Sequence, residues 1–415
     1  MPIKNILNEV LSDIKPSKKE VSEVSSIADS FIKSLNQSLK DKKINAKAVF
    51  GGSFAKDSWI SGDFDIDIFV KFDLNYKNQD LSSLLQKALS KFNFERIHGS
   101  RDYFWIKHKN IRFEIVPVLD IKSPENAVNV TDFSPLHVAW VKNNSKNLVD
   151  DILLLKQFCK ANGVYGAESY INGFSGHVVD NLIIYFKGFL PLLKSASKWN
   201  LKKKIVLDFY DKHKGKALFN INKSKTEGPL VLVDPVQPDR NASAALSAEK
   251  LRLFINYAKK FLKAPSKSFF KIKKIDLEKL MKKDYFIISA KPKKGKTDVV
   301  GCKLLSVFNF LKNSLEEHDF KIKDCDWFWD KSSNALFWFK LDKDSLSEIK
   351  EHKGPPTDMI SAVKSFKTKY KNTFKKDAHI WAKVKREFKD AKSLLKNSFK
   401  ANYMKDKVLT INLEK

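Results

Sequence analysis

The sequence predicts a multidomain α+β protein, and three observations carry that expectation. The chain has 415 residues, enough for two or three globular units at roughly 150 residues each. Hydrophobic residues make up 43% and aromatic residues 12%, which supplies real cores and excludes wholesale disorder. Strand-like runs cluster between residues 46 and 121 and again after 285, with a mainly helical stretch between them.

Residues 19–41 place Val21, Val24, Ile27, Phe31, Leu35 and Leu39 at helical spacing. The run AKAVF (46–50) reads as a short strand entering a Gly-Gly-Ser turn. DIDIFVKF (65–72) alternates and reads as a strand, as do DYFWIKH (102–108) and IRFEIVPVLDI (111–121). From about 146 to 263 the pattern is mainly helical, interrupted by Gly163, Gly166, Gly173, Gly176 and the segment DPVQPDRNA. The lysine-rich stretch SKSFFKIKKIDLEKLMKKD (266–284) marks a change of unit near 266. Beyond it come strand-like YFIISA, a helix over 301–317, and the aromatic strands DCDWFWD and ALFWFKL, the order of a small α+β module. Residues 360–400 read as a lysine-studded helical tail. The expected divisions are 1–145, 146–265, 266–350 and 351–415, with no internal repeat.

Composition removes several classes. Cys159, Cys302 and Cys325 lie far apart with no CxxC pair, which argues against a disulfide framework or a zinc cluster. No apolar run approaches the roughly 18 residues of a membrane span; the best candidate, NLIIYFKGFLPLLK, is broken by Lys187 and Pro191. The first twenty residues lack the apolar core of a signal peptide. The expectation is a soluble cytoplasmic protein without a membrane partner. Lys and Arg total 77 against 48 acids, a net charge of +29. Only six are arginines (Arg96, Arg101, Arg112, Arg240, Arg252 and Arg386). Lysine is a point charge suited to phosphates, whereas bidentate base reading favours arginine. The balance fits backbone-led, salt-dependent binding of a polyanion; a generally lysine-rich proteome is the other source of such a composition.

The chemistry-bearing residues begin with Asp65 and Asp67, two apart on a strand and so on one face, with Cα atoms ~6.5–7 Å apart. Carboxylates that close repel unless a cation sits between them. Upstream, FGGSFAKDSW offers glycines that permit close backbone approach and Ser53, placed to cap a short helix whose N-terminal amides favour phosphate. Lys56, one turn on, adds positive charge, and Glu114 in RFEIVPV supplies a third acid on a neighbouring strand. A DxD pair alone fits a solvated strand face and a GGS alone fits any turn; their combination suits phosphoryl transfer, where cations held by carboxylates neutralise a triphosphate.

The run GGSFAKDSWISGDFDIDIFVKF (51–72), with the acid of FEIVP following, resembles the nucleotidyltransferase signature of the DNA polymerase β superfamily. SPLHVAWVKNN (134–144), LLLKQFCKANGVYGAES (153–169), INGFSGHVVDNLIIYF (171–186), VDPVQPDRNASAALSAEKL (233–251) and HKGPP (352–356) resemble, in order, the class I, archaeal-type CCA-adding tRNA nucleotidyltransferases. The resemblance covers essentially the whole chain. It implies a polymerase β-like head with a mixed sheet, a helical neck, a small α+β body and a helical tail. It further implies Mg²⁺-dependent, template-independent addition of C, C and A to a tRNA 3′ end from CTP and ATP, with release of pyrophosphate.

By the same resemblance Asp65, Asp67 and Glu114 are the Mg²⁺ ligands and catalytic acids, with Glu114 standing where the family has Asp. Ser53 and Lys56 match the triphosphate-contacting Ser and Arg. Ser134, His137, Lys156 and Tyr165 match nucleotide-pocket positions. Arg240 matches the residue that faces the incoming base and separates C and A from G and U. The residues themselves leave other roles open: a snorkelling surface lysine for Lys156, a packed histidine for His137, a core aromatic for Tyr165, and a loop arginine paired with Asp234 or Asp239 for Arg240. No role is transferred to Arg101 or Asp102 in GSRDY, which departs from the family pattern.

Trp327, Trp329, Phe337 and Trp338 alternate in a way that fits either base stacking or a sheet core. The tail sets Lys364, Lys367, Lys369, Lys371, Lys375, Lys376, Lys383, Lys385, Arg386, Lys389, Lys392 and Lys396 around Phe366, Tyr370, Phe374, Trp381 and Phe388. The pattern fits a solvated amphipathic helix; the resemblance assigns it to the acceptor–T arm of tRNA. A homodimer is consistent with the family. A poly(A)-type terminal transferase and a non-catalytic RNA-binding protein on the same scaffold are the alternative readings.

Overall fold

The computed structural model describes residues 2–272, 276–281 and 284–415. Lys273, Lys274, Ile275, Lys282 and Lys283 of the lysine-rich stretch expected to mark the change of unit lie outside the described residues. Contacts divide the chain into two units, Met1–Lys273 and Lys274–Lys415.

The first unit opens with α1 (Ile3–Ile14) and α2 (Lys18–Asp41). Ser17 caps α2 by accepting from Glu20 N at 3.1 Å. Val24, Phe31, Leu35 and Leu39 of the expected stripe are buried, while Val21 is exposed. Then follow β1 (Ala46–Phe50), α3 (Gly52–Ala55), β2 (Ile66–Phe72), α4 (Leu81–Ala88), β3 (Phe94–Ile97), β4 (Tyr103–His108) and β5 (Ile111–Leu119). They form a mixed five-stranded sheet of order β1-β2-β5-β4-β3, with β2 parallel to β5 and the other pairs antiparallel. Alternation divides the sheet into two faces. Ile66, Ile68 and Val70 of β2 and Phe113 and Ile115 of β5 enter one core with α2 and α4. The rings of Phe31 and Phe113 stack at 4.2 Å. Truncating a buried Phe of this kind to Ala costs about 3–5 kcal/mol. The opposite face carries the acids.

The helices α5 (Ser134–Asn144), α6 (Val149–Ala161), α7 (Gly176–Phe186), α8 (Phe189–Ala196), the short α9 (Ala217–Asn220) and α10 (Ala248–Lys263) complete this unit. The interior of α6, α7, α8 and α10 gathers around Phe158, Phe174, Phe189, Phe254 and Phe261. The first helix joins this core rather than the sheet's, through Leu7, Val10 and Ile14. The mainly helical region also holds two strands that the apolar pattern did not separate from helix, β6 (Ile205–Leu207) and β7 (Leu230–Leu232), paired in parallel.

The second unit contains α11 (Leu277–Met281), β8 (Phe286–Pro292), α12 (Thr297–Glu317), β9 (Ile322–Trp329) and β10 (Ala335–Leu341), the expected strand–helix–strand–strand order. The helix α12 begins at Thr297, ahead of the expected start at 301. After them come β11 (Ile349–Pro356), α13 (Ile360–Lys369), β12 (Thr373–Lys376), β13 (His379–Lys385), α14 (Ala391–Ser398), α15 (Asn402–Lys407) and β14 (Val408–Leu413). The last strand pairs with β8 and extends a sheet of order β14-β8-β10-β9. Phe337 is buried with Trp327 and Trp329 packed against the same core, and Trp338, on the opposite face of β10, is buried as well, so these aromatics serve mainly the sheet.

The expectation of one helical tail over 360–400 is corrected. Two helices flank a β12–β13 hairpin, which pairs with β11 in the order β11-β13-β12. Asp377 and Ala378 take φ of 50° and 54°, the left-handed pair of a two-residue hairpin turn. In HIWAKVK the buried residues are Ile380 and Ala382, a period of two. Lys383 and Lys385 on the other face mimic the polar face of a helix, which hid that alternation.

Candidate active site

Parallel pairing sets Asp67 of β2 directly beside Glu114 of β5, and antiparallel pairing sets Glu114 beside Trp105 of β4. Trp105 Nε1 donates to Glu114 Oε2 at 3.0 Å, so the longer acid is tethered sideways on the sheet. The glycine turn closes over the other side of Asp67. Gly51 N donates to Asp67 O at 2.7 Å, and Gly52 takes φ of 54°. A Cβ on Gly52 would lie 1.4 Å from Asp67 Oδ2, so only glycine fits there. Ser53 is not the helix cap that the sequence suggested. Gly51 occupies that place, and the Ser53 carbonyl accepts from Lys56 N and Ser58 N at 3.2 and 3.0 Å.

Burial, then the neighbouring charge of Glu114, pushes the Asp67 carboxyl up to about 7. Burial likewise raises Glu114, against the Trp105 hydrogen bond. Two buried acids side by side each resist ionisation, and their hard oxygens fit a divalent cation. Asp65 adds its charge to both, but its oxygens are engaged elsewhere. It lies just before β2 and pairs with Arg112 through both oxygens. Among the described residues, these three carboxylates do not form a ready-made cluster of metal ligands.

Asp67 and Glu114 line a cleft of about 460 Å³. Gly52, Lys56, Asp67, Phe69 and Glu114 form one wall, and Ser134, His137, His177 and Arg240 form another, with Arg101 and Tyr103 at the edge. Lys56, Asp67, Glu114, Ser134, His137 and Arg240 are therefore brought together, whereas Asp65, Ser53, Lys156 and Tyr165 are not among the lining residues. Lys56 instead pairs with the fully buried Asp180. Lys156 is buried rather than snorkelling, donating to Ser58 O at 2.7 Å and Ser58 Oγ at 3.1 Å. Burial pushes its ammonium down to about 8, against the charge of Asp180. Asp180 stays below the usual carboxylate range because Lys56 and Lys156 override its burial. Tyr165 stands behind them, its phenol raised by burial and then by the Asp180 charge.

The second wall is organised by Asp234, fully buried. Its Oδ1 accepts from His137 Nε2 at 2.9 Å, Val236 N at 3.0 Å and Gln237 N at 3.1 Å. Its Oδ2 accepts from His177 Nε2 at 3.0 Å and lies 3.9 Å from Arg240 Nη1. Burial opposes ionisation, but the two histidine hydrogen bonds outweigh it and hold Asp234 far below the ordinary range. Burial lowers His137, against its bond to Asp234. The ligand atoms of His137, His177 and Asp234 lie within 4.8 Å of one another, a spacing a metal ion could bridge; here both ring N–H groups are already given to the carboxylate.

Sequence reasoning missed His177, Asp180, the organising role of Asp234 and the place of Arg101. His177 and Asp180 stand three apart at the start of α7 and so share a face, a signal present in GHVVD. Arg101 is held by Asp132, which also accepts from Leu119 N and Asn129 N at 2.9 Å. Asp102 accepts from Arg96 Nε at 2.9 Å. Both fasten the loop before β4.

Three family descriptions match the chain: a second messenger oligonucleotide or dinucleotide synthetase domain over residues 1–152, the second domain of tRNA nucleotidyltransferase over 150–271, and the C-terminal domain of the CCA-adding enzyme over 290–407. A CCA-adding enzyme of Nanoarchaeum equitans is 34% identical over 340 residues, covering 81% of this chain and 83% of its own. One from Methanococcus maripaludis is 32% identical, covering 95% and 90%, and one from Methanocaldococcus jannaschii is 29% identical, covering 97% and 92%. Among solved structures, a cytoplasmic RNA terminal U-transferase superposes with a TM-score of 0.50 at 14% identity, covering 66% of this chain and 99% of that one. At that identity the likeness is one of fold.

Proposed function

The chain belongs to the CCA-adding enzyme family, and we propose that it builds or repairs the 3′ CCA end of tRNA, adding C, C and A in turn from CTP and ATP. It is a nucleotidyltransferase. The observation that carries the proposal is the cleft in which Asp67 and Glu114, on paired strands beneath the Gly52 turn, face the His137–Asp234–Arg240 wall. One wall suits phosphoryl transfer and the other suits holding a base.

In this proposal Asp67 and Glu114, with Asp65 once it leaves Arg112, hold Mg²⁺, which supplies charge neutralisation for the triphosphate and activation of the RNA 3′ hydroxyl. Glu114 assists removal of that proton. Lys56 exchanges Asp180 for a phosphate oxygen, and the α3 amides with Ser53 lie along the same path. Ser134, His137 and Arg240 hold the nucleoside. Lys156 and Tyr165 act from behind by fixing Ser58 and the surroundings of Asp180. The four divisions 1–145, 146–265, 266–350 and 351–415 serve as head, neck, body and tail, the last meeting the acceptor–T arm. The described helices include none long and apolar enough to cross a membrane. A cytoplasmic, homodimeric enzyme belongs to the same proposal.

Extension of a tRNA transcript lacking its 3′ CCA tests this, with each labelled nucleotide alone, with CTP plus ATP, and with and without Mg²⁺. Two C residues from CTP alone, and one A only after both, are expected. A ladder of A residues, or bound RNA without product, would overturn it.

A further inference from the structure

His177 makes one kind of contact that fixes the state of its ring. Its Nε2 lies 3.0 Å from Asp234 Oδ2. Asp234, fully buried and held ionised by its partners, can only accept, so Nε2 carries the proton. Asn181 Nδ2 sits 3.2 Å from the same nitrogen. A nitrogen already giving its proton to a carboxylate cannot accept that contact, so the amide oxygen of Asn181 belongs on this side. In the neutral ring the second nitrogen, Nδ1, is then an acceptor, and among the described residues it has no protein partner. The ring lines the cleft. Arg240 approaches the same Asp234 oxygen at 3.9 Å, so an acceptor and a fork of donors flank one anchoring atom.

Cytosine and adenine each carry an exocyclic amino donor next to a ring-nitrogen acceptor. Uracil and guanine carry a carbonyl acceptor next to a ring N–H donor. We propose that His177 is a base-selecting residue: Asp234, as its positioning residue, presents His177 Nδ1 as an acceptor for the amino group shared by cytosine and adenine, beside the donors of Arg240. A carbonyl at that place meets a lone pair and leaves a polar group unmatched, the arrangement that rejects a wrong ligand most strongly. This inference rests on the CCA-adding reading and adds to it a residue and an atom.

The polarity of the anchor supplies the test. Asp234 Oδ1 is held by two backbone N–H groups and by His137, so in Asp234→Asn the amide oxygen takes that place and the amide nitrogen faces His177. Donating to Nε2, it reverses the ring tautomer and turns Nδ1 into a donor suited to uracil. The measurement is kcat/KM for single addition of CTP, UTP and a CTP analogue lacking the 4-amino group, on a CCA-less tRNA transcript. Wild-type enzyme that adds C and A but rejects UTP keeps the functional reading intact whatever the variants do; failure to add C or A defeats that reading separately. His177→Phe is expected to shrink the CTP preference over UTP, and over the analogue, by about tenfold or more. Asp234→Asn is expected to raise UTP use relative to CTP further than His177→Phe does. Should Asp234→Asn not fold, judged by its melting curve, His177→Phe against the analogue decides alone. Equal loss for all three nucleotides with unchanged ratios would mark His177 as structural and overturn the proposal.

Discussion

Arg112 grips both carboxylate oxygens of Asp65, with Nε 3.0 Å from Oδ1 and Nη2 against Oδ2, while its guanidinium lies 4.8 Å over the Trp105 ring. The same indole tethers Glu114. Arg112 thus engages Asp65, while the indole beneath it tethers Glu114 at its place beside Asp67, so that Asp65 joins the other two acids when something better than Arg112 is offered to it.

Arg112→Ala should therefore ease loading of the metal. The pair is half exposed, which limits its strength to about 1 kcal/mol or less. Releasing Asp65 should lower the Mg²⁺ concentration for half-maximal CTP addition by roughly two- to fivefold. An unchanged Mg²⁺ dependence would show that Arg112 does not compete for Asp65.

Asp67 gives a pH signature of definite sign. Its carboxyl is raised from 3.8 to about 7 in the fold, so the folded state binds a proton that the unfolded state releases above about pH 4. Metal-free stability should then fall as pH rises from about 4 through about 7, by at most about 4 kcal/mol for one group. Asp67→Asn removes the penalty. Its melting temperature should exceed that of the metal-free wild type clearly at about pH 8 and little at about pH 4.5, while nucleotide addition is abolished and tRNA affinity barely changes. A melting difference independent of pH would assign the effect to something other than this carboxyl.

Where the sequence spoke through spacing, the structure agrees. DIDIFVKF and IRFEIVPVLDI alternate, and the resulting strands place Asp67 and Glu114 side by side. The glycine turn was legible too, but not its reason: the close approach of Gly52 to Asp67 Oδ2 is a tertiary fact. Pairings between distant segments were illegible for the same cause. Asp65 has no neighbour in sequence that announces Arg112, and the union of His137, His177 and Asp234 spans three separate segments. Lys156 looked like a helix-surface lysine among leucines, yet every residue from Ile152 to Cys159 is buried, and its ammonium turns to Ser58. In the tail, exposed lysines at alternate positions of β13 imitate a solvated helix, and only Asp377 and Ala378, both with positive φ, break it. Neither residue type demands that conformation, so the turn left little trace.

The tail supplies a prediction about the RNA. Lys364 and Lys367 on α13, Lys371 after it and Lys375 on β12 are all exposed, whereas Lys376 and Lys385 are engaged by Glu351 and Glu348. Among the described residues no ion pair engages the first four, which leaves them to displace counterions from a phosphate backbone. Replacing these four by Gln should weaken tRNA binding at low salt and flatten the dependence of log affinity on log salt by roughly 3, at about 0.7–0.9 for each phosphate left without its lysine. The rate of a single CTP addition at saturating tRNA should stay within about twofold, because phosphate contacts position the RNA and alter capture rather than chemistry. A slope equal to that of the wild type would place the phosphate contacts elsewhere on the chain. A slope unchanged with a fall in the saturated rate would instead show that these lysines support the fold of the β11-β13-β12 sheet, a role that Lys→Arg replacements, keeping the charge, would largely rescue.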